Sequence, residues 1–190
     1  MRLDDERVRA AMRAVRRADF LPERQRPFTD DDRPLPIGFN QTCSQPTTVR
    51  HLLSLLEVAE GDRVLDVGSG SGWTTALLAT LAGPAGAVLG VDLVDELVSR
   101  SRASLEAYEL PWASVQRADP GALGRPDDAP YDRILVSAES AKLPQALVDQ
   151  LAVGGRMVVP VSGRLSVVQR HGPDRTEVRQ VGHYRFVPLR

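Results

Sequence analysis

Three glycines alternate with serines in Val64-Leu-Asp-Val-Gly-Ser-Gly-Ser-Gly-Trp73, where an apolar run carrying one acid breaks directly into a helix-forming stretch. Only glycine lets a backbone turn that tightly and come that close to a bulky ligand, so Gly68, Gly70 and Gly72 read as a contact surface for a nucleotide. Asp92 closes the next apolar run, Ala87-Val-Leu-Gly-Val91, about twenty residues on, where an acid is placed for ribose hydroxyls. A dinucleotide fingerprint needs a small residue where Trp73 stands, because helix and strand meet closely there, so nicotinamide and flavin are disfavoured. A glycine-rich turn without any ligand is the plainer alternative.

Periodicity supplies the elements that must hold this turn. Val8, Met12 and Val15 mark one face of an N-terminal helix that ends before Pro22. Residues 23 to 46 are rich in proline, aspartate and glycine, which blocks regular helix and predicts an ordered functional loop. From Thr47, the pattern Val49, Leu52, Leu53, Leu55, Leu56 suits a helix reaching Glu60, with Gly61 as its stop. Strands are then expected at 64–67, 87–91, 112–117, 133–136, 156–161, 165–170 and 182–187, with helices at 73–81, 94–107 and 144–151, the last stopped by Gly154-Gly155. The alternation predicts one α/β domain over residues 1–190, with N-terminal helices and a substrate loop over 1–60 and a Rossmann-like core over 61–190. Its sheet should be doubly wound and mostly parallel, with an antiparallel edge and helices on both faces.

Composition narrows the function classes. A chain of 190 residues at 42% hydrophobic can bury one good core and is short for two domains. Twenty-four basic and 25 acidic side chains nearly cancel, so no global charge draws nucleic acid or an anionic membrane, and neither is expected as a partner. No apolar run approaches the roughly 20 residues that span a bilayer, and the arginines near the N-terminus alternate with acids as a solvated helix face does. The single cysteine, Cys43, excludes an intramolecular disulfide and fits a reducing cytoplasm; three scattered histidines show no metal-ligand spacing, so no metal is expected. A monomer is expected.

The form Asp66-x-Gly-x-Gly-x-Gly72 resembles motif I of S-adenosylmethionine methyltransferases. A second signature is more specific: Pro34-Leu-Pro-Ile-Gly38, then Gln41-Thr-Cys-Ser44 and Pro46, resembles that of the protein-L-isoaspartate O-methyltransferases, where Gln-Thr-Ile-Ser follows Pro-Leu-Pro-Ile-Gly. The resemblance extends over nearly the whole chain, through Val15 to Pro22, Ala129 to Val136, Pro144 to Leu151, Gly154 to Val161 and Arg185 to Leu189, all in the family's order.

The resemblance implies methyl transfer from S-adenosylmethionine, leaving S-adenosylhomocysteine, to the free α-carboxylate of an L-isoaspartyl residue in a damaged protein or peptide. The ester then collapses to a succinimide that hydrolyses partly to normal aspartate. Such a carboxylate is already ionised at neutral pH, so the task is alignment and not proton removal. Ser44 matches the serine that the family places at the reacting centre, where its hydroxyl can hold one carboxylate oxygen; the alternative is a cap on the helix that begins near Pro46. Cofactor contacts are expected from Thr42, Cys43, Ser44, Asp66, Gly68, Ser69, Gly70, Gly72, Asp92, Leu93, Asp119 and Pro120. Substrate contacts are expected from Ile37, Gly38, Gln41, Thr42, Ser44, Ser137 and Ala138. Cys43 replaces the family's isoleucine and reads as a small buried hydrophobe. Asp66 has a second reading, as an acceptor for N–H groups of its own turn.

Several positions depart from the family's pattern. Asp119-Pro120 replaces Asp-Gly and removes a backbone donor that would face adenine, with Gly121 left to serve the turn. Glu139 puts an acid near a carboxylate site unless Lys142 neutralises it, or else faces solvent at a helix start. The chain stops just after Phe186-Val-Pro-Leu189, so closure over the substrate is expected from elsewhere. Three other readings remain open: a peptide-tailoring relative that methylates ordinary aspartate side chains to give aspartimide, a non-catalytic cofactor-binding domain and a nicotinamide oxidoreductase.

Overall fold

The computed structural model describes residues 3–189. Helix α1, Leu3–Ala14, is followed by two short 3-10 helices, Arg17–Phe20 and Glu23–Phe28. A small hairpin then forms from β1, Leu35–Gly38, and β2, Gln41–Cys43, so the predicted loop holds short regular pieces. Phe39 and Asn40 at its tip both take positive φ, 55° and 58°, the two left-handed residues that a tight two-residue hairpin turn requires.

Helix α2, Pro46–Leu56, ends before the predicted stop at Gly61. Glu57 adopts the left-handed conformation and its N–H donates to the Leu53 carbonyl, which turns the chain so that Val58 enters the core. The doubly wound unit then runs β3 Arg63–Val67, α3 Trp73–Ala82, β4 Ala87–Asp92, α4 Asp95–Glu106, β5 Ala113–Arg117 and β6 Tyr131–Val136. After β6 the expected helix over 144–151 is a single turn, α5, Gln145–Val148. Leu151 already pairs with Tyr131 and opens β7, Leu151–Val161. Gly154 and Gly155 lie within β7 and accompany a register shift against β6; they bend a strand and do not stop a helix. Strand β8, Arg164–Gly172, turns back as β9, Arg175–His183, which lies upstream of the expected 182–187. The period-2 apolar signal fails there because nearly all of β9 is exposed at the sheet edge, and its outward residues include Arg175, Glu177 and Arg179.

The seven strands lie in the order β5-β4-β3-β6-β7-β8-β9, with β3 to β7 parallel and the last two pairings, β7 with β8 and β8 with β9, antiparallel, as expected. Side chains alternate across the sheet even in its centre: Val64, Leu135 and Val158 join the core beneath α1 to α4, while Leu65, Ile134 and Met157 join a second core with Leu147 and Val148 of α5. Winding reverses at β3, with β4 on one side and β6 on the other. That switch point opens a crevice beyond the strands' carboxyl ends, where a ligand binds in such sheets.

Candidate functional site

A cavity of about 710 Å³ occupies the crevice. Its floor is the turn after β3, fixed by sheet hydrogen bonds that continue past the strand ends. The N–H groups of Gly68 and Ser69 both donate to the Val91 carbonyl, at 2.9 and 3.1 Å, and the Ser137 N–H donates to Val67 O at 2.9 Å. The Asp92 carboxylate accepts from the Gly70 N–H at 2.9 Å and the Val94 N–H at 3.0 Å, which holds both strand ends around one acid. Gly68, Ser69, Gly70, Asp92, Leu93, Asp119 and Pro120 all line the cavity, and the Ser69 hydroxyl, 4% exposed as a residue, has no hydrogen-bond partner among the described residues. A buried donor left open in this way is a group that a ligand satisfies.

Two residues expected at the cofactor sit behind it. Asp66 is fully buried and absent from the lining; its Oδ2 accepts from the hydroxyls of Thr74 and Thr75, at 2.7 and 2.8 Å, while Oδ1 has no partner. Burial pushes its pKa up to about 6, against the pull of the two threonines, with the Asp92 charge adding a little. Its bonds go to side chains of α3 and not to N–H groups of the turn. Gly72 does not line the cavity either. A Cβ there would lie 2.6 Å from the Ser101 Cβ on α4, and its φ is 85°, so this glycine lets two helices meet behind the turn.

Asp119 turns its carboxylate onto its own loop, where Oδ1 accepts the Gly121 N–H at 2.8 Å. The backbone donor lost at Pro120 is thus not replaced by Gly121, whose N–H is already used.

The opposite end of the cavity is gathered from three distant segments. Gln41, Thr42, Cys43 and Ser44 come from the hairpin, Ser137, Ala138 and Ser140 to Lys142 from the loop after β6, and Val187, Pro188 and Leu189 from the last residues described. Ile37 and Gly38 do not reach it. Ile37 is 2% exposed and packs its Cδ1 over the glycine turn, 3.3 Å from where a Cβ on Gly70 would stand. Gly38 stands against Arg100 of α4, outside the lining. Ser44 does not cap α2: the Thr47 N–H donates to Asp32 Oδ1 at 2.9 Å, so Asp32 takes that role and leaves the serine hydroxyl to the cavity. Cys43 is 4% exposed, and burial pushes its thiol pKa up, which keeps it neutral.

Glu139 turns away from the site. Its Oε1 accepts the Gly163 N–H at 3.1 Å, its backbone bonds to Val187 and Leu189, and it is not a lining residue. The carboxylate therefore ties down a neighbouring turn, and neither the repulsion of an anionic substrate nor the solvent-facing alternative holds. The same backbone bonds draw residues 187–189 across the site, so the end of the chain supplies the wall that was expected from elsewhere. Lys142, the sequence's only lysine, is the one cationic side chain in the lining among the described residues. No helix of the described residues is long and apolar enough to cross a membrane, and no His, Cys, Asp and Glu cluster among them suits a metal.

Comparison with known proteins agrees with this geometry. The family model described as protein-L-isoaspartate(D-aspartate) O-methyltransferase matches residues 2–190. A protein-L-isoaspartate O-methyltransferase of Anaeromyxobacter dehalogenans (strain 2CP-1) is 47% identical, covering 100% of this chain and 91% of its own. One from Rhodopseudomonas palustris (strain HaA2) is 43% identical over 97% of this chain and 76% of its own. Among solved structures, a chain from Plasmodium falciparum in complex with S-adenosyl-L-homocysteine superposes with a TM-score of 0.83 at 24% identity, covering 99% of this chain and 92% of that one. At that identity the likeness is one of fold.

Proposed function

This chain belongs to the protein-L-isoaspartate O-methyltransferase family, and from that premise we propose how its cavity carries out S-adenosylmethionine-dependent methylation of the free α-carboxylate of L-isoaspartyl residues in damaged proteins. The observation that carries the residue assignment is one cavity with two chemically different ends, a glycine turn with an acid beside it and a Ser44-bearing hairpin.

The glycine end suits the cofactor. The volume of the whole cavity lies within the range of small-molecule sites, the open Ser69 hydroxyl awaits a partner, and Asp92 keeps acceptor capacity beyond its two N–H bonds. Gly68 to Gly70 would hold the amino-acid portion, Asp92 the ribose hydroxyls, and Leu93, Asp119 and Pro120 the adenine. Bound there, S-adenosylmethionine supplies an electrophilic methyl carbon.

The hairpin end needs only to orient. Ser44 donates its hydroxyl to one oxygen of the acceptor carboxylate and leaves the other free to attack. No histidine lines the cavity, and the chemistry calls for no base, because the acceptor is ionised at neutral pH. Lys142 adds a positive charge at the same end, which favours an anionic acceptor. The wall of 187–189 and the apolar Ala138 exclude water, which protects the near-attack geometry. The lone buried Cys43 suits the cytoplasm.

The test supplies methyl-labelled S-adenosylmethionine with two matched peptides, one containing L-isoaspartate and one L-aspartate, and counts base-labile ester. Label on the isoaspartyl peptide alone is the expected result. Equal labelling would move the enzyme to tailoring of ordinary aspartate, and absence of label on both would end the methyltransferase reading.

A further inference from the structure

Arg17 makes no contact with the cavity, and it is the most heavily bonded side chain in the structure. It is 6% exposed, and its guanidinium donates to five backbone carbonyls: Nη1 to Thr29 and Asp31 at 3.1 and 3.0 Å, Nη2 to Arg33, Cys43 and Ser44 at 2.8, 3.2 and 3.0 Å. It has no carboxylate partner among the described residues, and its Cζ lies 5.6 Å over the Trp73 ring. Burying a cation without a counter-charge is costly, and an apolar side chain of the same length would pack there at less cost. The five acceptors account for the choice. Three precede the β1–β2 hairpin, Cys43 is its last residue and Ser44 follows it, so one planar fork closes the base of the segment that carries Ser44.

The closure has a direction. In a planar trans peptide the N–H points opposite to the C=O, so a Cys43 carbonyl aimed at Arg17 turns the Ser44 N–H away from the guanidinium. A carbonyl bound to a cation also makes the N–H of its own peptide a stronger donor. Trp73, on which the guanidinium rests, lines the cavity at the end of the glycine turn, and its Nε1 donates to Val15 O at 3.2 Å. The same arginine therefore touches both ends of the site from beneath.

We propose that Arg17 is a positioning residue whose buried guanidinium closes residues 29–44 and sets the hydroxyl and N–H of Ser44 for the acceptor carboxylate. The proposal rests on the methyltransferase reading for its substrate and not for its structural half.

Arg17→Met keeps the length and removes the charge and donors; Arg17→Lys keeps the charge with fewer, non-planar donors. Both are compared with wild type as full-length chains saturated with S-adenosylhomocysteine. Hydrogen exchange of amides in 29–46 should rise at least 10-fold in Arg17→Met and less in Arg17→Lys, while amides of 63–67 and 87–92 keep their protection. Affinity for S-adenosylhomocysteine, measured calorimetrically, should stay within about 3-fold, as expected when no direct contact is lost. On an isoaspartyl peptide, kcat should fall about 100-fold with little change in KM, and the Arg17→Met, Ser44→Ala double variant should be no slower than Ser44→Ala alone, because both act through one group. Unchanged exchange in 29–46, equal loosening of the whole sheet or additive losses in kcat would each overturn the proposal. A wild-type enzyme inactive on the peptide would sink the substrate reading while the exchange result still decides the role of Arg17.

Discussion

Around the glycine turn, the contacts that shape the cavity are made between neighbouring strand ends: Gly68 and Ser69 to Val91, Gly70 to Asp92, Ser137 to Val67. Around Ser44 the lining is gathered from segments remote in sequence, the hairpin at 41–44, the loop at 137–142 and the wall at 187–189. The cofactor end is thus a product of the sheet and as rigid as the sheet. The acceptor end is an assembly of loops, each held by a device of its own: Asp32 on Thr47, Glu139 on Gly163 and residues 187–189, and Arg17 on five carbonyls. The difference suits the proposed assignment, in which one end receives the cofactor and the other an isoaspartyl carboxylate.

Changes on the two sides should therefore fail in different ways. The largest effect is expected at Gly72, where Ala would both clash with Ser101 and hold a left-handed backbone; the two costs together come to about 4 kcal/mol of stability, read as a lowered denaturant midpoint. A midpoint unchanged from wild type would mean that α3 and α4 are not rigidly seated behind the turn.

Next in size is the pH response of Asp66. Its pKa rises from 3.8 unfolded to about 6 folded, so the fold binds the proton more tightly. The stabilisation is complete below the unfolded value and is lost as pH rises through the folded one, about 3 kcal/mol in all. The stability of wild type minus that of Asp66→Asn should accordingly fall between pH 4 and pH 7. A flat difference would show that the carboxylate is ionised throughout.

The smallest of the three belongs to the acceptor end. Ser44→Ala should lower kcat by about 100-fold, the cost of a misplaced reacting group, with S-adenosylhomocysteine affinity and unfolding midpoint near wild type. Loss of cofactor affinity with normal turnover at saturation would erase the division between the two ends.

The turn was legible because its signal is local: three glycines after an apolar strand and an acid at the end of the next strand mark a shape that short-range sterics enforce. The same local reading could not separate the glycines. Gly68 faces the cavity and Gly72 faces α4, and only Ser101, arriving from another helix, tells them apart. Asp66 looked like a ligand contact for the same reason, since a strand residue's side is set by register, and here the register turns it toward Thr74 and Thr75. The edge strand β9 was misplaced because an exposed strand carries no apolar alternation.

By itself the sequence determined the α/β alternation and the position of the glycine turn, both properties of short segments whose side-chain types limit the backbone. Tertiary structure alone decided that Arg17 lies beneath Ser44, that Glu139 faces away from the cavity and that Val187 to Leu189 close it. These are contacts between segments far apart in the chain, and no local preference encodes them, because each depends on where the folded sheet carries both partners.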